Sequence, residues 1–70
     1  METFPERLRR LRKEKRGGKS MQLTSQLVGL HLDAIRRYEN GEVKDPGCEA
    51  LEMLADYYGV TMDYLWKGEK

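Results

Sequence analysis

A short charged segment near the middle of the chain carries the side chains best suited to recognise another molecule. Residues 31–41 hold two adjacent arginines, Arg36 and Arg37, together with Asp33 and Asn40. An arginine can donate paired hydrogen bonds to a guanine edge or bind a phosphate, and an aspartate can accept one from the amino group of cytosine. The chemistry of this segment therefore suits nucleic acid, provided that a rigid element presents it.

The elements that would present these side chains are short helices. Seven glycines punctuate the sequence, and the segments between them have apolar residues at helical spacing, with no strand-like alternation between hairpin turns. The predicted helices run from the capping box Thr3–Glu6 to Gly17-Gly18, from Ser20 to Val28, from His31 to Asn40, from Asp45-Pro46-Gly47 to Gly59, and from Met62 to Trp66 with Thr61 as N-cap. The sequence therefore predicts an all-α fold of five helices in a single domain, residues 1–70.

Composition limits the class of protein. Hydrophobic residues make up 39% of the chain and charged residues 36%, which is typical of a globular protein with a charged surface. Residues 1–19 contain eight basic and three acidic side chains, whereas residues 46–70 contain two basic and five acidic ones. One end can therefore face phosphate and the other should avoid it. With a single cysteine and no export signal at the N-terminus, we expect a cytoplasmic protein.

The connection before residue 31 has helix-turn-helix spacing. Gly29 lies between two predicted helices and can adopt the positive φ that a tight turn needs. Ser25 lies one helical turn earlier, and its small side chain lets the two helices approach closely. Ile35 and Tyr38 are three residues apart and are expected to face the core. The residues expected to point outward are Leu32, Asp33, Arg36, Arg37 and Asn40.

Two stretches of sequence resemble a known family. Gly29-Leu30 followed by Ile35-Arg36-Arg37-Tyr38-Glu39-Asn40-Gly41 resembles the turn and recognition helix of the phage-repressor and Cro-like (XRE-type) helix-turn-helix family. Residues 51–65, LEMLADYYGVTMDYL, resemble its fourth and fifth helices. The resemblance implies a compact five-helix, lambda-repressor-like fold with helices 2 and 3 as the helix-turn-helix. The chain departs from the family at Thr24, where the family usually has a core leucine.

The resemblance also implies that double-stranded DNA is the partner. The implied DNA-binding residues are Gln22, His31, Leu32, Asp33, Arg36, Arg37, Asn40 and Lys44. Arg37 lies four residues after Asp33, on the same side as the helix start that enters the major groove in this motif. We therefore expect Arg37 to contact a base and Arg36 to contact phosphate.

Three of these residues have more than one possible role. Asp33 could accept from cytosine, orient Arg36 or Arg37, or favour the helix N-terminus electrostatically. Leu32 could touch a thymine methyl group or be an exposed apolar residue without a function. His31 could cap the helix or contact phosphate, and it lacks the partners that a metal ligand would need.

Other residues are expected to have structural roles. The family pattern pairs Arg12 with Glu39, which would lock helix 1 to helix 3. The basic run from Arg7 to Lys19 is either a solvated helix face or, given the resemblance, a source of phosphate contacts. Cys48 falls on the apolar side of helix 4 and is predicted to be buried. Three aromatic residues could complete the core or form a dimer interface: Tyr57, Tyr64 and Trp66.

The function predicted from these observations is sequence-specific transcriptional repression, with a homodimer bound to a palindromic operator. The alternative is an antitoxin or another protein-interaction module in which DNA binding is secondary. An enzyme is not expected, because one histidine and one cysteine leave no nucleophile–base pair, and there is no phosphate-binding glycine loop. No cofactor, metal, small-molecule ligand or membrane partner is expected.

Overall fold

Five helices form the described part of the chain. The computed structural model describes residues 2–15 and 20–68. Its helices are α1 (Phe4–Glu14), α2 (Met21–Val28), α3 (Leu32–Asn40), α4 (Cys48–Tyr58) and α5 (Met62–Lys67), and no strand occurs in those two ranges. The predicted all-α, five-helix architecture is confirmed. The predicted stop signal of the first helix, Gly17-Gly18, lies outside the described residues, as do Arg16 and Lys19.

Side-chain caps begin three of the helices. The Thr3 amide donates to Glu6 Oε1 at 2.9 Å, while Thr3 Oγ1 accepts from the Glu6 amide at 3.4 Å, which is the predicted capping box. The hydrogen bonds that the Thr3 amide and the Thr3 hydroxyl donate to Glu6 Oε1 hold the pKa of the Glu6 carboxyl below its usual value. Ser20 caps α2 by accepting from Leu23 N at 3.1 Å, and Thr61 caps α5 in the same way.

The α2–α3 turn depends on Gly29. This residue ends α2 with φ +94°, a left-handed conformation that favours glycine. Its amide and that of Leu30 both donate to the Ser25 carbonyl, at 2.9 and 3.1 Å. A Cβ at position 29 would lie only 3.2 Å from Cε of Met53 on α4. Glycine therefore satisfies both the backbone conformation of the turn and its close packing against α4.

One core holds the five helices together. α1 packs against α3 and α5, α2 packs against α3 and α4, and α4 packs against α5. The buried hydrophobic residues come from four of the helices: Phe4, Leu8, Ile35, Leu54, Ala55 and Leu65. Ile35, at 2% exposure, fixes α3 in this core, and Tyr38 packs against its edge. The expectation that these two residues face inward is therefore confirmed.

Cys48 does not belong to the core, and the prediction that it is buried is wrong. The side chain is exposed, although its spacing from Leu51 and Ala55 is helical. Cys48 is the first residue of α4 and follows the N-cap Gly47. Helical side chains lean towards the N-terminus of their helix, over the preceding turn. Because α4 has no turn before Cys48, helical spacing alone overestimated its burial.

Thr24, at a position where the family usually has a core leucine, places a hydroxyl group in the protein interior. Its side chain is fully buried at 0% exposure, and Oγ1 has no hydrogen-bond partner in the described structure. A buried hydroxyl without a partner costs roughly 1–3 kcal/mol. Valine has nearly the same shape and no hydroxyl. We therefore expect Thr24→Val to raise the free energy of unfolding by about 1 kcal/mol and the Tm by about 4–8 °C, measured by thermal and urea denaturation.

The matched control is Thr61→Val, which makes the same chemical change where the hydroxyl has a partner. Thr61 Oγ1 accepts from Tyr64 N at 3.0 Å and caps α5. This variant should lower the free energy of unfolding by about 0.5–2 kcal/mol. If Thr24→Val destabilises the protein as much as Thr61→Val does, the Thr24 hydroxyl contributes to stability and the expectation is wrong.

Candidate nucleic-acid interface

The outer face of α3 carries most of the residues predicted to bind DNA. Because Ile35 and Glu39 are buried, the helix turns its other side to solvent. The exposed members of the predicted set on this helix are Asp33, Arg36, Arg37 and Asn40, and Leu32 is half-buried. The helix therefore presents two cations, one anion and one amide on a backbone that the core holds in place.

Asp33 pairs with one of the two arginines. Its Oδ1 accepts from Arg36 Nη1 at 3.3 Å, one helical turn away, and both side chains are more than half exposed. The Arg37 side chain makes no hydrogen bond or ion pair within residues 2–15 and 20–68. In the free protein Asp33 therefore orients Arg36, and it also lies in the first turn of α3, where a negative charge is favoured. Arg37 is the arginine that is ready to meet another molecule without first breaking an ion pair.

A buried ion pair fixes the other side of α3. Arg12 Nε donates to Glu39 Oε2 at 2.8 Å and Arg12 Nη2 to Glu39 Oε1 at 3.0 Å, so the contact is bidentate. The exposed fraction of the side chain is 2% for Glu39 and 13% for Arg12. These hydrogen bonds raise the pKa of the Arg12 guanidinium. Arg9 Nη2 also donates to the Glu39 carbonyl at 3.2 Å, so α1 holds α3 by two arginines.

His31 lies at the start of α3, and Gln22 lies near the start of α2. His31 is the N-cap residue of α3 but makes no side-chain capping bond, so its expected capping role is not seen and its phosphate contact stays a prediction. It is exposed and shares a shallow groove with Ser25 and Gln26. Gln22 is exposed on the first turn of α2. Gln26 was absent from the predicted set, although its spacing of four residues from Gln22 places both amides on one side of α2.

Lys44 lies apart from that groove. It is exposed in the connection between α3 and α4, where it lines a second groove with Pro46, Cys48 and Trp66. The structure therefore presents the predicted contacts on α3, at the α2–α3 turn and in the loop after α3. Asn40, at the end of α3, has its amide 3.4 Å from Glu42 Oε2.

The basic residues of α1 are mostly engaged within the protein. Arg7 is 5% exposed and donates to the carbonyls of Leu65 and Glu2, both at 2.9 Å. Arg10 binds Glu2, Glu14 and the Tyr64 hydroxyl. A phosphate contact by Arg7 or Arg10 would break these bonds. The expected phosphate contacts from the basic run therefore do not fit these two residues, whose charge stabilises the contact between α1 and α5.

Lys15 is engaged at the other end of α1. Its Nζ donates to the Tyr57 carbonyl at 2.7 Å and lies 4.6 Å from the centre of the Tyr57 ring. A carbonyl near the end of a helix such as α4 is a favourable site for a cation. Lys13 is exposed and, within the described ranges, is the α1 cation without a hydrogen bond or ion pair.

The three aromatic residues considered for a dimer interface lie in three different places. Tyr57 packs under Lys15 and lines a groove with Leu27 of α2. Tyr64 accepts a hydrogen bond from Arg10 at 2.6 Å and lines a groove between α1 and the α4–α5 connection. Trp66 packs edge-on against Phe4, with the ring centres 4.8 Å apart, and is 36% exposed. Each of the three therefore lines a different groove.

No cluster of three or more histidine, cysteine, aspartate or glutamate side chains suited to a metal ion occurs among the described residues. None of the helices there is long and apolar enough to cross a membrane.

Comparisons with known proteins agree with this geometry. A helix-turn-helix family model matches residues 8–65. The chain therefore belongs to the XRE-type helix-turn-helix family of DNA-binding proteins, and the resemblance noted in the sequence is confirmed. It is 42% identical over 65 residues to the HTH-type transcriptional regulator AnsR of Bacillus subtilis (strain 168). The alignment covers 93% of this chain and 53% of the relative, so the chain spans about half of that protein. No solved structure matches the chain significantly.

Proposed function

We propose that this protein is a sequence-specific transcriptional repressor that binds a palindromic operator as a homodimer. The observation that carries the proposal is the way in which the rest of the protein holds α3. Ile35 and the Arg12–Glu39 pair hold its inner side, while Asp33, Arg36 and Arg37 are exposed on its outer side. The similarity to a protein named as a transcriptional regulator supports the same conclusion.

The exposed side chains divide into two kinds of DNA contact. Phosphate contacts fix the position of a protein on the duplex, and contacts to base edges supply specificity. Arg37, near the middle of the outer face of α3, is the proposed base contact. The proposed phosphate contacts come from Gln22, His31, Arg36, Asn40 and Lys44. Such a protein acts where the operator is, in the cytoplasm, and binds DNA without a catalytic step or a cofactor.

The short length of α3 is the reason for proposing a dimer. α3 has nine residues, and a helix of that length contacts only a few base pairs of one major groove. A two-fold axis doubles those contacts and matches a palindromic site. Of the three candidate aromatic residues, Trp66 suits the dimer contact best. It is the most exposed, and its ring is already held by Phe4.

The operator geometry tests this proposal. We expect selection of bound duplexes from a random pool to return an inverted repeat, with half-site centres about 34–36 Å apart or a multiple of that distance. Analytical ultracentrifugation of the complex should show two chains on each duplex. Selection of one unrepeated half-site, with one chain bound, would contradict the dimer, and the absence of any selected sequence would contradict specific binding.

A further inference from the structure

α2 exposes two neighbouring stripes of different chemistry. Gln22 and Gln26 form one stripe. Leu23 and Leu27 form the other, displaced by about 100° around the helix axis, and these leucines are 41% and 51% exposed. Single exposed leucines are common on protein surfaces, but two of them one turn apart give a continuous apolar stripe. These leucines are not the residues that attach α2 to the fold, because Thr24 and Ser25 are buried and Met21 and Val28 pack against the core.

The leucine stripe continues onto α4. Leu27 and Val28 line one side of a groove of about 320 Å³, and Met53, Asp56 and Tyr57 line the other. We call the surface formed by Leu23, Leu27, Met53, Asp56 and Tyr57 the α2–α4 face. Such a surface lies between two helices, where an amphipathic helix of a partner could place its apolar side.

The border of the α2–α4 face is acidic. Glu49, Glu52 and Asp56 are exposed on α4, which contains no basic residue. Lys15, the C-cap residue of α1, contacts this face, and it is already bound to Tyr57 through a hydrogen bond of 2.7 Å to the carbonyl and through the ring. A partner that covers the leucines therefore meets carboxylates at the edge that form no ion pair within residues 2–15 and 20–68.

We infer that the α2–α4 face binds a basic amphipathic helix of a partner protein, with apolar side chains in the groove and Lys or Arg residues against the α4 carboxylates. Charge complementarity selects this occupant over a second copy of the chain. A two-fold contact of this face with itself would bring the α4 carboxylates of both copies together. Because Gln22 and Gln26 lie on a different side of α2, the partner and DNA can bind at the same time.

A designed peptide tests the inference directly. The probe is a fluorescein-labelled helix of about 18 residues with leucines at i, i+3, i+4 and i+7 spacing and lysines elsewhere. Two matched peptides serve as references: one has the same composition with the leucines scattered, and the other has glutamates in place of the lysines. By fluorescence anisotropy, the full chain should bind the probe at least about tenfold more tightly than either reference, a difference of about 1.4 kcal/mol.

Variants of the protein locate the site. The double variant Leu23→Gln/Leu27→Gln keeps good helix-forming residues at exposed positions. It should bind the probe at least about tenfold more weakly while its affinity for DNA stays unchanged. The pair Glu52→Gln/Asp56→Asn should weaken probe binding and reduce its salt dependence. Gln22→Ala/Gln26→Ala is the matched control on the same helix, with probe binding unchanged.

Three outcomes would overturn the inference. If the probe and the peptide with scattered leucines bind equally well, binding reflects a general attraction between opposite charges and does not depend on an apolar side of the helix. Full binding by Leu23→Gln/Leu27→Gln would place the site elsewhere. A chain that dimerises in solution through these leucines, and no longer dimerises in the double variant, would make the face a self-association surface. The DNA titration is separate, so a failure of the proposed repressor function would not be mistaken for any of these results.

Discussion

Arg12→Ala is expected to lower the free energy of unfolding by about 3–5 kcal/mol, because it strands a carboxylate that the fold has removed from water. The Glu39 side chain is 2% exposed and receives two hydrogen bonds from Arg12. The remaining cation near it, Arg9, lies at 4.0 Å and is itself about half exposed, so it cannot replace a bidentate partner. A loss of about 3 kcal/mol corresponds to a fall in Tm of roughly 12 °C or more, measured by circular dichroism melts and urea titration.

Two controls separate the stranded charge from other effects. Arg36→Ala also breaks an arginine–carboxylate ion pair, but this pair, with Asp33, is exposed. The variant should change the free energy of unfolding by no more than about 1 kcal/mol. The double variant Arg12→Met/Glu39→Met removes both charges and keeps side chains of similar length. It should recover much of the stability that Arg12→Ala loses. A melt of Arg12→Ala that matches the wild type would show that the pair contributes nothing to the fold.

Local signals explain why the helices could be predicted from sequence. Thr3, Ser20 and Thr61 each cap the helix that follows, and glycine ends α2, α3 and α4 in the left-handed conformation. These signals depend on residues within about one turn of the helix end, so they are present in the sequence as it stands. The apolar spacing of each segment then indicates which side meets the core.

Contacts between distant residues explain most of what the sequence could not show. Arg7 resembles the other cations of α1 in sequence, but one of the carbonyls it binds belongs to Leu65, on the last helix. Tyr57 and Leu27 line one groove although thirty positions separate them in the numbering. The Arg12–Glu39 contact also crosses between helices, and only the resemblance to a family proposed it in advance. Burial of a charge or exposure of a leucine depends on such neighbours, which local patterns do not contain.

Arg37→Ala is expected to weaken binding to the operator and to relax the preference at one position in each half-site. Arg37 is exposed on α3 and makes no polar side-chain contact in the described ranges, so its five donors are available to a guanine edge. Removal of a base contact costs about 1–3 kcal/mol per half-site, or about 5- to 150-fold in affinity. The Arg36–Asp33 ion pair, at 3.3 Å, is exposed and therefore weak, so Arg36 can exchange it for the phosphate contact that we propose.

The matched variant, Arg36→Ala, separates the two roles. Removal of a phosphate-binding side chain weakens binding to every sequence alike, and it lowers the slope of log K against log salt by about one unit for each phosphate that is no longer neutralised. Both variants remove an exposed arginine from the same helix, so their melts should stay close to that of the wild type. Each is titrated against the selected operator and against its single-base variants at several salt concentrations, because affinities at one salt concentration cannot separate the two kinds of interaction.

The pattern of preferences, and not the affinity alone, decides the assignment. If Arg37 contacts a base, the Arg37→Ala profile becomes flat at one operator position and keeps the wild-type order at all others. If Arg37→Ala weakens binding but retains every preference, Arg37 binds phosphate and the base assignment is wrong. If Arg36→Ala is the variant that loses discrimination, the roles of the two arginines are reversed. In that case Asp33, which already orients Arg36 in the free protein, would position the side chain that contacts the base.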